Sequence, residues 1–198
     1  DYEASAALTM RRGRAFDDGD GEERSFARLA VAIGKFWVSK RTPHFVYECL
    51  ECLGGGGYVE EAPLARYYRE APLNAIWEGS GNVIALDILR TFQKDTTALS
   101  AFFSEIEPAR GVNAAFDASF EQVTKLVRDK APVEAHARRI AECMALTLQA
   151  AMLLRYGHPD VANAYCELRL KEGRGINYGA GLPAADCTAL IDRQMVGC

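Results

Sequence analysis

Residues 26–57 read FARLAVAIGKFWVSKRTPHFVYECLECLGGGG. Phe26, Leu29, Ala30, Ile33 and Trp37 recur at i, i+3, i+4, i+7 and i+11, which places them on one face of an α-helix. Val46, Cys49, Leu50 and Leu53 repeat the pattern after Pro43. That proline either kinks one long helix or separates two. The period stops at Gly54–Gly57, where four glycines end a helix and free the backbone for unusual φ.

Working outward, residues 58–79 read as loop, with prolines at 63 and 72 and one short helix around Leu64–Tyr68. Ser80 is the expected N-cap of a helix carrying Ala85, Ile88, Leu89 and Phe92. Further stripes follow at Phe116, Phe120, Val123 and Val127, then at Ile140, Cys143, Met144, Thr147, Ala151 and Leu154, then at Val161, Ala164, Tyr165 and Leu168. Residues 173–181 hold four glycines and read as a loop, and a short helix is expected from about Ala184 to Met195. No strand-like alternation of useful length appears, so the fold class is all-α, built as helix bundles. Pro108 and Gly111 interrupt the pattern, so a boundary is expected near 94–112, giving regions 1–93 and 94–198. Val31, Val38, Val83 and Ile84 lie beyond one narrow stripe. They predict a self-association surface formed mainly by residues before 94.

About half of the 198 residues are apolar and a quarter are charged, as in a soluble globular protein. A net charge of −4 gives no global attraction to nucleic acid. No run of about twenty apolar residues offers a membrane span, and no signal-like segment opens the chain. The first residue is Asp1, not Met, which reads as a fragment or processed product. The six cysteines (Cys49, Cys52, Cys143, Cys166, Cys187 and Cys198) read as reduced thiols in a cytoplasmic protein, because a long apolar helical chain needs no staples. Cys49 and Cys52 lack the second pair of a zinc site and read as small residues on a packed helix face; no metal is expected. The acidic run Asp17–Glu23 reads as a solvated turn. Arg24 and Phe26 fall where calcium ligands would have to continue.

The chemistry concentrates in residues 51–90, ECLGGGGYVEEAPLARYYREAPLNAIWEGSGNVIALDILR. The glycine run exposes N–H groups that suit an anion such as a pyrophosphate, but taken alone it is a weak signal and a plain helix stop is the favoured reading. It is neither a P-loop, lacking Gly-Lys-Ser/Thr, nor a dinucleotide fingerprint, lacking a preceding strand. Downstream, Glu78 stands among Ile76, Trp77, Gly79 and Gly81. Apolar neighbours would raise its pKa and the following helix N-terminus would lower it. The glycines would give a substrate access. Such a carboxylate suits a general base, or it caps a helix on a surface loop.

Leu-Gly-Gly-x-Gly-Tyr, then Pro, then Arg-Glu, then Ile-Trp-Glu-Gly-Ser-Gly-Asn, in this order and spacing, resembles the signature of acyl-CoA dehydrogenases. The Trp and Ser variant, with Leu-Asp-x-Leu-Arg over Leu86–Arg90 and Ala-Tyr-Cys at 164–166, is similar to the AidB-like branch. The resemblance implies a C-terminal four-helix-bundle part with an added helical extension, in a protein whose N-terminal and middle β-domains lie elsewhere. It implies FAD, an acyl-CoA thioester substrate and a tetramer. It also implies Glu78 as the base taking the α-proton while the flavin takes the β-hydride. Glu51, Gly54, Gly55, Ser80 and Asn82 fall at flavin-contacting positions, with Gly54 and Gly55 often serving the neighbouring subunit. Glu51 stands where many members have Gln; a carboxylate cannot donate as an amide does. Arg69 reads as a structural ion-pair residue. The alternative is an AidB-like, DNA-associated flavoprotein of the alkylation response with a weak or vestigial dehydrogenase site. Arg90, Arg169, Lys171 and Arg174 are the candidate phosphate contacts, although residues 94–198 hold 12 Lys/Arg against 13 Asp/Glu. Because the β-domain that would enclose a flavin is absent from these residues, the isolated chain should bind FAD poorly. Sub-micromolar affinity in a fluorescence titration would contradict that.

Overall fold

The computed structural model describes residues 1–128, 134–171, 177–181 and 187–195. Every regular element among them is helical. Helix α1 (Tyr2–Asp18) turns through left-handed Gly19 into α2 (Gly21–Cys52), where the Asp20 carboxylate accepts from Glu23 N at 2.9 Å. The acidic run is therefore a capped helix corner. Pro43 lies inside α2, which continues through it as one helix of 32 residues.

The glycine run does more than stop α2. Gly54 adopts φ 55°, and Gly55–Tyr58 form one helical turn, α3. The stretch expected as loop is mostly ordered: α4 (Pro63–Glu70) runs directly into a 3₁₀ turn at Ala71–Ala75. Both prolines stand near the start of their element, where no N–H is needed. Helix α5 (Gly81–Lys94) follows with Ser80 as N-cap. Then come α6 (Thr96–Ile106), α7 (Ala114–Arg128), α8 (Ala137–Tyr156), α9 (Pro159–Arg169) and α10 (Thr188–Asp192). The expected helix from 184 is thus shorter, and its first residues lie outside the described ones.

Helix α8 is the hub. It packs against α1, α2, α5, α6, α7 and α9. The spacing predicts a single stripe, but every residue from Met144 to Leu153 is buried. A helix apolar on all sides must be surrounded. Its two buried polar side chains are satisfied, as burial requires. The Thr147 hydroxyl donates to Cys143 O and meets the Ser119 hydroxyl at 2.7 Å. Gln149 accepts from the Tyr165 hydroxyl at 2.7 Å and donates to Ser5. One hydrophobic core runs from Ala4 to Cys166 across position 94.

A charge network stitches four helices together. Arg11 of α1 donates to Glu23 of α2 and to Glu105 of α6, and Arg155 of α8 donates to Glu105. Burial disfavours the Arg11 charge, but the hydrogen bonds to Glu105 and Glu23 outweigh it and hold the guanidinium above its ordinary range. Of the residues expected to form a second apolar face, Val83 is exposed while Val31, Val38 and Ile84 are half-buried. No helix among the described residues is long and apolar enough to cross a membrane.

The position of α8 makes a stability prediction. Met144→Ala, at a fully buried site, should cost about 2–4 kcal/mol. Met10→Ala, at a site 75% exposed, should cost under about 0.5 kcal/mol. Urea unfolding of the two variants checks the contrast.

Candidate functional site

The candidate base sits on a short connector between two helical elements. The 3₁₀ turn closes with Ile76 N and Trp77 N both donating to Leu73 O, at 2.9 and 3.1 Å. Glu78 then takes φ 58°, the only left-handed non-glycine among the described residues. Gly79 follows at φ 109°, where an added Cβ would lie 2.9 Å from Ile84 Cδ1. Ser80 returns to extended backbone as N-cap of α5, yet its side chain makes no capping hydrogen bond. The segment is an S-shaped reversal that presents Glu78 just before a helix start, as the Glu-Gly-Ser-Gly sequence predicts.

Helix α2 supplies the floor. Lys35 donates its ammonium hydrogens to Asn74 O and to Trp77 O, the latter at 2.9 Å. Lys35, Val38, Ser39, Thr42, Asn74, Trp77 and Glu78 line an open groove of about 390 Å³. The apolar enclosure expected around Glu78 is not supplied by this chain. Ile76 is 63% and Trp77 57% exposed, and the carboxylate itself is exposed. A shielded base at this position needs a cover from outside these residues.

The start of α5 gathers positive charge. Gly81 lies so close to Lys40 that a Cβ there would meet its Cε and Nζ at 2.8 Å. The Asn82 side-chain oxygen accepts from Arg138 at 2.8 Å. Burial, then the charge of Arg138, holds Lys40 below the usual lysine range. Two cations beside the positive end of a helix repel one another and the helix dipole alike. Sequence reading missed Lys35, Lys40 and Arg138. The available signal was the placement of Lys35 between buried Ile33 and Phe36, in the most core-facing stretch of α2.

The glycine turn is a separate place. Gly57 is packed so tightly that a Cβ would stand 2.2 Å from Leu50 O, whereas Gly55 and Gly56 have nothing within 4 Å of theirs. Gly54 needs its backbone freedom and Gly57 its missing side chain; nothing within this chain requires glycine at 55 or 56. Glu51 is exposed one helical turn from Tyr47, whose phenol is raised by a hydrogen bond with that carboxylate. The Tyr47 and Tyr68 rings meet at 6.0 Å. From Lys35 to Glu51 the helix rises roughly 24 Å, at ~1.5 Å per residue. One chain therefore does not bring its glycine turn to its own Glu78.

The other predicted residues disperse. Arg69 makes the expected ion pair, with Glu60 rather than its neighbour Glu70. Arg169 pairs with Asp1 at 2.8 Å and Lys171 with Glu167 at 2.5 Å. Arg90 lies exposed on α5, and Arg174 lies outside the described residues. Cys49 is half-buried, but Cys52 is exposed, so the pair does not share a packed face. Burial, then Cys52, raises the Cys49 thiol. Burial, then Glu167, pushes Cys166 up to about 12. Neither environment favours a reactive thiolate.

Known proteins resemble this arrangement. Residues 1–92 match the family model described as acyl-CoA dehydrogenase, C-terminal domain. AidB of Escherichia coli (strain K12), described as a candidate acyl-CoA dehydrogenase, is 37% identical over 175 residues, covering 88% of this chain and 32% of that protein. Acyl-CoA dehydrogenase family member 11 of Caenorhabditis elegans is 28% identical, over 83% of this chain and 31% of that protein. A crystal structure of C. elegans ACDH-11 in complex with C11-CoA superposes with a TM-score of 0.69 at 26% identity, over 82% of this chain and 32% of that one. The chain spans about a third of the length of the curated relatives it matches.

The glycine geometry separates two roles that the sequence merges. Gly57→Ala should destabilise the protein by about 1–3 kcal/mol through overpacking, while Gly55→Ala should leave the melting temperature unchanged. Calorimetry on both variants checks this; equal destabilisation would give the whole run a purely structural role.

Proposed function

We infer that residues 1–92, which match the model of the acyl-CoA dehydrogenase C-terminal domain, belong to that family. From that premise we propose that the chain is the C-terminal part of an AidB-like flavoprotein that dehydrogenates an acyl-CoA thioester, with Glu78 as its base. The observation that carries this reading is the left-handed backbone of Glu78. A non-glycine in that region costs roughly 1–2 kcal/mol, and such outliers persist where the surroundings hold them and concentrate at functional sites.

In this reading the Glu78 carboxylate accepts the proton from the carbon α to the thioester, a general-base role. Gly79 and Gly81 add no side chains of their own beside the carboxylate, and the space they leave is taken by Ile84 and Lys40. An acyl chain in the groove, together with the rest of the protein, covers Ile76 and Trp77 and excludes water. A flavin, when bound, supplies the acceptor for the β-hydride.

The residues present suit FAD. Lys40, Arg138 and the start of α5 form a cationic rim that a pyrophosphate would neutralise. Asn82 orients Arg138 there, and the Ser80 hydroxyl makes no cap bond that would compete. The open backbone at Gly55 and Gly56 suits close approach by a second phosphate-bearing stretch. Its distance from Glu78 along α2 supports service to a neighbouring copy, hence a homo-oligomer. Glu51 at the foot of that turn adds negative charge and bonds Tyr47, so the nucleotide end is held differently from relatives with an amide there. The DNA-associated alternative draws no support from Arg169 and Lys171, whose charges are paired with Asp1 and Glu167.

The test is Glu78→Gln in the full-length protein, which keeps the shape and removes the proton acceptor. Bleaching of the flavin by acyl-CoA under anaerobic conditions should slow about 10²–10⁴-fold, with flavin content unchanged. An unaltered bleaching rate would assign the base to another group.

A further inference from the structure

We propose that Lys35 is a positioning residue for the base: its ammonium group, shared between the Asn74 and Trp77 carbonyls, fixes the backbone that carries Glu78. This rests on the reading of Glu78 as the base. It adds a residue 43 positions earlier in the chain whose side chain sets where that carboxylate points.

The last carbonyls of a short helix have no intrahelical donors. Here the 3₁₀ turn at Ala71–Ala75 ends just before the site, and a lysine from another helix satisfies one of its trailing carbonyls, Asn74 O, together with the Trp77 carbonyl two residues beyond it. A cation at the negative end of a helix is favourable. More important is which carbonyl is held. Trp77 O lies in the same rigid peptide plane as the Glu78 N–H. Pinning that oxygen fixes the plane about which φ of Glu78 is measured, and that φ is the left-handed one. On the far side, Gly79 and the N-cap at Ser80 fix the exit of the chain into α5. Between these two anchors Glu78 cannot relax to right-handed backbone without breaking the lysine bridge.

The anchor is rigid. Lys35 extends from the stretch of α2 where Ile33 and Phe36 are buried in the core, so its stem is referenced to the bundle and not to a loop. It also lines the groove that Glu78 lines. A lysine serves here because its three ammonium hydrogens reach two carbonyls at once.

The experiment uses the full-length flavoprotein with three variants. Lys35→Met keeps the length and removes the donors; Lys35→Arg keeps charge and donors; Glu78→Gln is the reference for loss of the base. In single-turnover stopped flow, Lys35→Met should slow flavin reduction by acyl-CoA about a hundredfold, the order expected from misplacing a reacting group by ~1 Å. Its Kd for acyl-CoA should stay within about twofold of the parent, since transition-state geometry and not uniform binding is lost. Lys35→Arg should recover at least about tenfold of that rate. Independently of turnover, hydrogen exchange should speed up at the amides of residues 76–79 in Lys35→Met, while α8 stays protected as in the parent. A Lys35→Met protein that reduces its bound flavin at the parent rate would overturn the proposal. So would one in which α8 protection and rate fall together and Lys35→Arg recovers neither. Glu78→Gln at the parent rate would overturn the base assignment and this proposal with it. An inert Glu78→Gln beside a fully active Lys35→Met would overturn the positioning role alone.

Discussion

Ten consecutive residues of α8, Met144 to Leu153, have no face left for water. A helix in that condition can exist in solution only if neighbours surround it, and here six helices do. Most of the remaining architecture follows. Packing α2 and α5 against the same helix sets those two side by side. The connector from α4 to α5 must then run back along α2, which brings the Trp77–Ser80 reversal over Lys35. The site is thus a by-product of how the hub is wrapped, and its geometry is as firm as the core beneath α2.

Charge is handled in opposite ways in the two regions. In the core, Arg11 and Arg155 meet Glu105 and Glu23 in a network where every charge has a counter-charge within hydrogen-bond reach. Such a closed network ties helices together, while replacing one partner would strand another. At the start of α5 the pattern reverses. Lys40 and Arg138 crowd a helix end that already repels them, and Asn82 offers only a neutral oxygen. Like charges held together at a helix N-terminus would be relieved by an anion. The proposed flavin pyrophosphate is consistent with that.

Helix α2 acts as a ruler between two parts of the proposed cofactor site. Its middle holds the Trp77–Ser80 connector through Lys35, and its far end holds the glycine turn through the close contact of Gly57 with Leu50 O. Continuity through Pro43 keeps these parts in fixed relation. The missing N–H removes one helix bond from the Ser39 carbonyl, and Ser39 lines the groove. The helix is least self-satisfied beside the site it supports.

The sequence by itself determined the helical class, since apolar spacing of 3.6 residues is a local property that any bundle must honour. Ile33, Ile88, Phe116 and Met144, one from each of four stripes, are fully buried, while Trp37, Val127 and Leu154 at stripe ends are only partly covered. The position of Glu78 before a helix was equally legible, because Glu-Gly-Ser-Gly can do little but turn and then start one. Local pattern understated α8: a single stripe leaves out Leu146, Leu148, Met152 and Leu153, which are core only because other helices approach from every side. It understated residues 63–75, where proline reads as a breaker although at the first turn of a helix it costs nothing. Tertiary structure alone decided that the glycine run holds one tightly packed glycine, one left-handed glycine and two open ones, that Arg169 meets the Asp1 carboxylate, and that Lys35, Lys40 and Arg138 converge on Glu78 and α5. Those partnerships join residues tens of positions apart, and no periodicity records which side chain a long lysine or arginine will reach once the helices are packed.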